Sequence, residues 1–140
     1  MRLSIRNQFD GVVQSVTRGE VMAIVRTTLA GAQEVTSAIT LEAVDDLGLA
    51  SGVRVRALIK STEIALATEK PNGVSIRNQL PGTVAAVDHG AVMTTVKVTI
   101  AGGQTLTAAI TKDGAEDLAL APGTAVTALV KSTEVSLAVE

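Results

Sequence analysis

Short stretches in which apolar and polar residues alternate predict a protein built mainly of strands. The clearest stretch covers residues 21–29, because alternate side chains of a strand point to opposite faces of a sheet. One face of this strand consists of Val21, Ala23, Val25 and Leu29. The opposite face carries Met22, Arg26 and Thr28. Similar patterns predict further strands over residues 4–9, 11–17, 34–39, 53–60 and 62–68, with a bend at Asp10-Gly11 between the first two.

One segment breaks this alternation and has the signals of a short helix. Thr40 is a favourable N-cap, acidic residues follow it in the first two turns, and Gly52 closes the segment. The pattern predicts a helix of about two turns after Thr40. The equivalent segment later in the chain begins at Thr111 and ends at Pro122-Gly123.

The chain is a tandem repeat. Residues 3–69 align with residues 74–140 without a gap, and about half of the aligned positions are identical. We therefore predict a first module at 1–69, a linker at 70–73 that contains a Pro and a Gly, and a second module at 74–140. A module this small is near the lower limit for a self-sufficient core, so we expect it to need its twin and other chains.

The order of elements predicts the fold class. Each module has several short strands and one short helix, so we expect an all-β fold with two tandem OB-like Greek-key barrels. A β-sandwich is the alternative that the pattern leaves open.

Composition and charge exclude several classes of function. The net charge is −2, and the chain has one Phe and no Tyr or Trp, whereas single-strand nucleic-acid binders combine basic grooves with aromatic side chains. With no Cys and one His (His89), the chain lacks a thiolate or histidine-cluster metal site. We see no triad or carboxylate pair for catalysis. The lack of a signal core and of a membrane-spanning apolar run predicts a cytoplasmic protein without a membrane partner.

Two short polar words recur in both modules. SIRNQ occupies residues 4–8 and 75–79, and KSTE occupies 60–63 and 131–134. Their Arg, Lys and Ser side chains, together with Thr40 at a helix start, are hydrogen-bond donors, and few acidic residues recur beside them. Such a set suits a fully ionised oxyanion: sulfate, phosphate, molybdate or tungstate.

Structural roles for the same residues are the alternative. Arg6 and Lys60 would then be solvated charges at strand ends, paired with Glu63 or Asp45, and Thr40 would only cap its helix. The basic pair Arg26 and Lys97 is retained as well, which indicates a solvent-facing strand side or an interface.

The pattern S-x-R-N-Q-[FL]-x-G at the start of each module and [IV]-K-S-T-E near its end resembles the Mop domain. The tandem arrangement, over essentially the whole chain, is similar to the di-Mop molbindin family. The resemblance implies OB-like modules, six of which assemble as a trimer of tandem chains. It implies a non-enzymatic, cytoplasmic role in molybdenum storage or homeostasis. The ligand would be molybdate or tungstate, held by hydrogen bonds at interfaces between modules, without protein–metal ligands or an organic cofactor.

The resemblance also assigns oxyanion-binding residues by motif. In the first module they are Ser4, Arg6, Asn7, Thr40, Lys60 and Ser61. In the second module they are Ser75, Arg77, Asn78, Thr111, Lys131 and Ser132. The two words of one site are expected to come from different modules.

The chain departs from the family pattern in two places. Ile5 and Ile76 stand where the family often has Ala, and Met22 and Met93 stand where it often has a small polar residue. The chain also lacks the P-loop of transport ATPases and the helix-turn-helix of repressors that carry similar modules. A structural or interaction module without ligand, a binder of sulfate or phosphate, and an OB-type nucleic-acid binder remain as alternatives.

Overall fold

The computed structural model describes residues 2–140, and its elements recur in the same order in both repeats. The first repeat contains β1 (Asn7–Arg18), β2 (Met22–Leu29), β3 (Glu34–Thr40), α1 (Leu41–Leu47), β4 (Arg54–Ile59) and β5 (Ala65–Ala67). The second contains β6 (Asn78–His89), β7 (Met93–Ile100), β8 (Thr105–Thr111), α2 (Lys112–Asp117), β9 (Ala125–Val130) and β10 (Val135–Ala138). Short 3-10 turns lie at Ala30–Ala32, Ser61–Glu63, Ala101–Gly103 and Ser132–Glu134.

Two five-stranded antiparallel sheets form the molecule. Their strand orders are β10-β4-β1-β2-β3 and β5-β9-β6-β7-β8. In the first sheet the edge strands β10 and β3 approach each other, so the sheet curls towards a closed barrel. With the helix between β3 and β4, this is the OB-like arrangement that the sequence predicts, and the predicted fold class is confirmed.

The two repeats exchange their last strands. Ala65 of β5 pairs with Leu129 of β9 in the second sheet. Reciprocally, Val135 of β10 pairs with Ile59 of β4 in the first sheet. Each sheet is therefore built from four strands of one repeat and one strand of the other.

Because of this exchange, the hydrophobic core contains residues of both repeats. The larger cluster of buried side chains joins residues of both repeats, among them Phe9 and Ile59 from the first and Leu80 and Val130 from the second. A smaller cluster around Val13 lies within the first repeat, with packing from the end of the second. Burial of these side chains is the main force that holds the sheets together.

The first strand is continuous where the sequence predicts a bend. Asp10 and Gly11 lie inside β1, and the ladder is irregular between Val13 and Ser15 instead. A β-carbon on Gly11 would lie 2.7 Å from Cγ2 of Thr27. Glycine is therefore required here for close strand packing, and the predicted bend is wrong.

The predicted apolar face of β2 is correct except at its first residue. Ala23, Val25 and Leu29 are buried, but Val21 is 72% exposed. Val21 precedes the strand, which begins at Met22, so the alternation of strand faces does not extend to it.

The two short helices begin where the sequence predicts. The hydroxyl of Thr40 accepts a hydrogen bond from the backbone N–H of Ala43 at 3.1 Å, and Thr111 caps α2 in the same way. The first helix ends at Leu47 because Gly48 adopts a left-handed conformation with φ of 62°. Neither helix is long or apolar enough to cross a membrane.

Candidate functional site

Each repeat begins with a loop that is folded by its own side chains. The Arg6 guanidinium donates from Nε to the Ser4 carbonyl at 3.2 Å and from Nη2 to the Leu3 carbonyl at 2.8 Å. Gln8 donates from Nε2 to the Ile5 carbonyl at 3.0 Å. The second repeat makes the same three bonds. The SIRNQ word thus fixes its own backbone while the Ser4 and Arg6 side chains stay exposed.

Strand pairing places the closing word of each repeat beside its opening word. Asn7 is the register partner of Ile59, and Lys60 follows Ile59 directly. The second repeat has the same arrangement at Asn78 and Val130. The expectation that one oxyanion site combines words from different modules stays a prediction. Antiparallel pairing puts the start of β1 beside the end of β4 within one repeat.

The KSTE word is the segment in which the chain crosses from one sheet to the other. After Lys60 a short turn over Ser61–Glu63 leads from β4 to β5, and the Glu63 N–H donates to the Lys60 carbonyl at 3.0 Å. This turn lies against β8 of the second repeat. The hydroxyl oxygen of Ser61 is buried and has no hydrogen-bond partner among residues 2–140. Because buried hydroxyls are nearly always bonded, this atom lacks a partner that a ligand could supply.

The cations of these words are not neutralised within the described chain. Arg6, Lys60 and their counterparts Arg77 and Lys131 are exposed. None of the ion pairs formed within residues 2–140 involves any of the four. Asp45 pairs with Arg18 at 3.0 Å, so the alternative that Arg6 and Lys60 are paired with Glu63 or Asp45 is wrong.

The asparagine of each SIRNQ word is buried and already bonded. Asn7 is 1% exposed. Its Nδ2 donates to the carbonyls of Ile59 at 3.1 Å and Thr107 at 2.8 Å, and its Oδ1 accepts from the Thr107 N–H at 2.7 Å. Asn78 exchanges the same pair of bonds with Thr36, at 2.7 and 2.8 Å. Both amide hydrogens of Asn7, which the family resemblance assigns to oxyanion binding, are therefore already used within the chain.

The remaining predicted residues, Thr40 and Thr111, lie away from the two words. Thr40 is the register partner of Met22, near the end of the sheet where β1 finishes at Arg18. Asn7 lies at the other end of β1, which has 12 residues and would be about 35 Å long if straight. The structure thus places the opening and closing words of a repeat side by side, at the end of β1 that lies away from Thr40.

Two hollows contain charged residues that the sequence prediction omitted. A hollow of about 350 Å³ is lined by Arg77 together with Lys70, Gln79, Pro81 and Thr127. The repeat alignment places Lys70 in the linker because it has no counterpart in the other repeat. The only signal for Lys70 in the sequence is its positive charge next to Pro71. A larger hollow, of about 860 Å³, includes Arg56. Arg56 is neutralised by Asp10 at 3.0 Å and Glu140 at 3.2 Å.

The chemistry of this region suits an anion better than a cation. Among residues 2–140, no group of three or more His, Cys, Asp or Glu side chains could hold a metal ion. Arg, Lys and Ser side chains instead present N–H and O–H donors, which bind oxyanions through charge-assisted hydrogen bonds.

Comparison with known proteins gives matches over both repeats. The model of the TOBE domain matches residues 3–66 and 74–137. The chain is 41% identical over 141 residues to the molybdenum transport protein ModE of Herbaspirillum seropedicae, covering 100% of this chain and 52% of that protein. It is 40% identical over 139 residues to the molybdenum-pterin-binding protein MopB of Rhodobacter capsulatus, covering 99% and 52%. The chain thus spans about half the length of these curated relatives.

Similarity to a solved structure extends over the whole chain. The cytoplasmic molybdate-binding protein ModG, in a crystal form with molybdate bound, superposes with a TM-score of 0.97 at 35% sequence identity. The match covers 100% of both chains. The arrangement of the two repeats is therefore shared with a protein whose crystal contained an oxyanion.

Proposed function

The chain belongs to the TOBE-domain family as a tandem, Mop-type member, and on that premise we propose that it binds molybdate without catalysing a reaction. One observation carries the proposal: strand pairing puts the Arg6 and Lys60 positions beside each other at the start of β1, and no ion pair among residues 2–140 involves either. The match to a molybdate-bound protein over the whole chain supports the choice of ligand.

The mechanism of binding is hydrogen bonding to a dianion. Ser4, Arg6, Lys60 and Ser61 donate to the oxygens in the first repeat. Ser75, Arg77, Lys131 and Ser132 do so in the second. In this mechanism no protein atom bonds the metal, because every donor is an N–H or O–H group. Binding requires no organic cofactor. Tungstate has the same charge and tetrahedral shape as molybdate, so the same donors accept it. The role is storage or homeostasis of molybdenum in the cytoplasm.

A second copy of the chain completes each site. The Thr40 hydroxyl oxygen accepts from Ala43, so its hydrogen remains to donate to a ligand, but it lies far from Arg6 of its own chain. Exposed apolar residues adjoin Thr40 and Thr111: Val21 and Met22 in one repeat and Val92 and Met93 in the other. A trimer with six modules places these apolar residues at contacts between chains, where Thr40 reaches the donors of a neighbour.

Calorimetric titration of the purified chain tests the proposal. Molybdate and tungstate should each release or absorb heat on binding, and sulfate and phosphate provide the specificity comparison. Arg6→Ala with Arg77→Ala should weaken molybdate binding at least about tenfold, because each site loses a charged hydrogen bond. Light scattering should give about three times the chain mass of 14.3 kDa.

The matched control removes two other exposed arginines. Arg26→Ala with Arg54→Ala changes the net charge equally, but both residues lie outside the two words. This control should bind molybdate as the wild type does. Absence of heat with all four anions would contradict the proposal and favour a structural or interaction module. Heat with sulfate or phosphate alone would identify another oxyanion as the ligand.

A further inference from the structure

Asn7 and Asn78 connect the two repeats in a way that their sequence motif does not reveal. Each side chain bonds to both the N–H and the C=O of one threonine on an edge strand of the other repeat's sheet. Asn7 bonds to Thr107 on β8 at 2.7 and 2.8 Å, and Asn78 bonds to Thr36 on β3 at 2.7 and 2.8 Å.

This geometry reproduces a strand partner with a single side chain. In an antiparallel ladder, a hydrogen-bonded pair of residues exchanges two N–H···O bonds. A primary amide carries an acceptor and a donor side by side, so it can make the same exchange with the N–H and C=O of one residue. β3 and β8 lie at the edges of their sheets. The outward backbone groups of Thr36 and Thr107 therefore find their partner in an asparagine.

The same asparagine fixes the candidate oxyanion site. Asn7 follows Arg6 directly, pairs with Ile59 next to Lys60, and donates to the Ile59 carbonyl at 3.1 Å. One buried side chain thus joins both words of a repeat to β8 of the other repeat. Loss of this connection leaves the covalent chain intact but allows Arg6 and the turn that begins at Lys60 to move relative to β8, against which the turn lies.

We propose that Asn7 and Asn78 are positioning residues, not oxyanion ligands: each holds the donors of its own repeat in place by bonding to the other repeat. The proposal rests on the proposed function of the donors as an oxyanion site. It predicts an effect specific to one repeat. Asn7 controls the sites that contain Arg6, and Asn78 controls the sites that contain Arg77.

The test is the molybdate stoichiometry of full-length variants, measured by calorimetry. Asn7→Asp replaces the NH2 group, which donates to the Thr107 and Ile59 carbonyls, with a carboxylate oxygen that repels both carbonyls. It should remove about half of the wild-type binding sites and leave the affinity of the others unchanged. Asn78→Asp should remove the other half. The control is Asn72→Asp, the same chemical change at an exposed linker residue, which should keep the full stoichiometry.

Double variants separate positioning from a general loss of stability. Asn7→Asp with Arg6→Ala affects the same sites twice, so it should keep as many sites as Arg6→Ala alone. Asn7→Asp with Arg77→Ala affects both sets and should bind almost no molybdate. A stabilising role alone would give the two double variants equal binding, and this result would overturn the proposal.

A second variant and a second measurement cover the case in which Asn7→Asp does not fold. Asn7→Ala removes the same bonds without adding a charge, and it should show the same loss of half the sites. Hydrogen exchange should show faster exchange of the Thr107 amide in this variant, with the Thr36 amide still protected. Full stoichiometry in Asn7→Ala would overturn the positioning role. Absence of binding in the wild type would instead refute the proposed function.

Discussion

The arginine of each SIRNQ word folds its own loop and still has N–H donors to spare. Through Nε and one Nη2 hydrogen, Arg6 bonds to the carbonyls of Ser4 and Leu3. A guanidinium has five N–H donors, so donors remain for a ligand after the loop is folded. The same side chain therefore folds the loop and keeps donors for the proposed oxyanion.

A lysine at these positions should not replace the arginine. In Arg6→Lys with Arg77→Lys the charge is kept, but an ammonium cannot bond to both loop carbonyls and to the oxyanion in the arginine's planar geometry. We expect molybdate affinity to fall about tenfold, measured by calorimetry. Arg26→Lys with Arg54→Lys is the control and should leave the affinity unchanged. Equal affinity of all the lysine variants and the wild type would contradict this role of the loop bonds.

At the scale of elements, the turns before β3 and β8 pack backbone to backbone. Gly31 and Gly102 have positive φ angles of 75° and 83°. A β-carbon on Gly31 would lie 2.7 Å from the backbone carbon of Ala101, and one on Gly102 would lie 2.8 Å from the Ala30 carbonyl oxygen. The two turns can approach this closely, and so connect the two repeats, because neither glycine has a side chain at the contact.

Substitution of these glycines should destabilise the whole chain. Gly31→Ala adds a clash to the cost of a positive φ and should lower the free energy of unfolding by about 3 kcal/mol or more. Gly103→Ala is the control, because Gly103 has a φ of 79° but no atom within 4 Å of an added β-carbon. It should lose only about 1 kcal/mol. Chemical denaturation measures both, and equal losses would show that the backbone contact contributes little.

At the scale of the whole molecule, strand exchange makes the two repeats one folding unit. The first sheet is completed by β10, and β5 belongs to the second sheet. Val135 of β10 and Ile59 of β4 are both buried where they pair. A single repeat would therefore expose apolar surface that the intact chain buries.

Residues 1–73 expressed alone should not form a stable monomer. The fragment lacks β10, and its own β5 lacks a sheet, so two fragments should exchange β5 and form a dimer of twice the fragment mass. Light scattering gives the mass, and circular dichroism gives the fold. As a control, the full chain cleaved within residues 70–73 should remain associated and folded. A stable monomeric fragment would contradict the structural importance of the exchange.

The proposed trimer gives a separate prediction for the exposed methionines. Met22 and Met93 are 43% and 42% exposed, beside Thr40 and Thr111. Met22→Glu with Met93→Glu would place charges at a contact between chains, so the mass in solution should fall towards 14.3 kDa and molybdate binding should weaken. Val12→Glu, at an exposed position beside Thr28 at the other end of β2, should leave the mass unchanged. A trimer that survives both methionine changes would place the contact elsewhere.

The sequence by itself determined the elements and the chemistry of the two words. Strand alternation, the Thr40 cap and the gapless repeat predict the strands, the helices and the OB-like fold class, because each signal acts between residues that are close in the chain. The same holds for the donor character of Arg6 and Lys60, since the residue type sets it. The predicted burial of Val21 was wrong because the alternation pattern does not show where a strand begins.

Only the tertiary structure decided which strands pair and which donors meet. The strand patterns of β5 and β10 fit either sheet equally well, because the edges of the two sheets are nearly equivalent. The exchange follows from the path of the turn in the KSTE word, which leads the chain from one sheet to the other. Burial of Asn7 against Thr107 follows from that exchange and has no local signal. The separation of Thr40 from Arg6 likewise depends on the length and curl of β1. Interactions between residues far apart in the chain decide these features, and residue periodicity does not encode them.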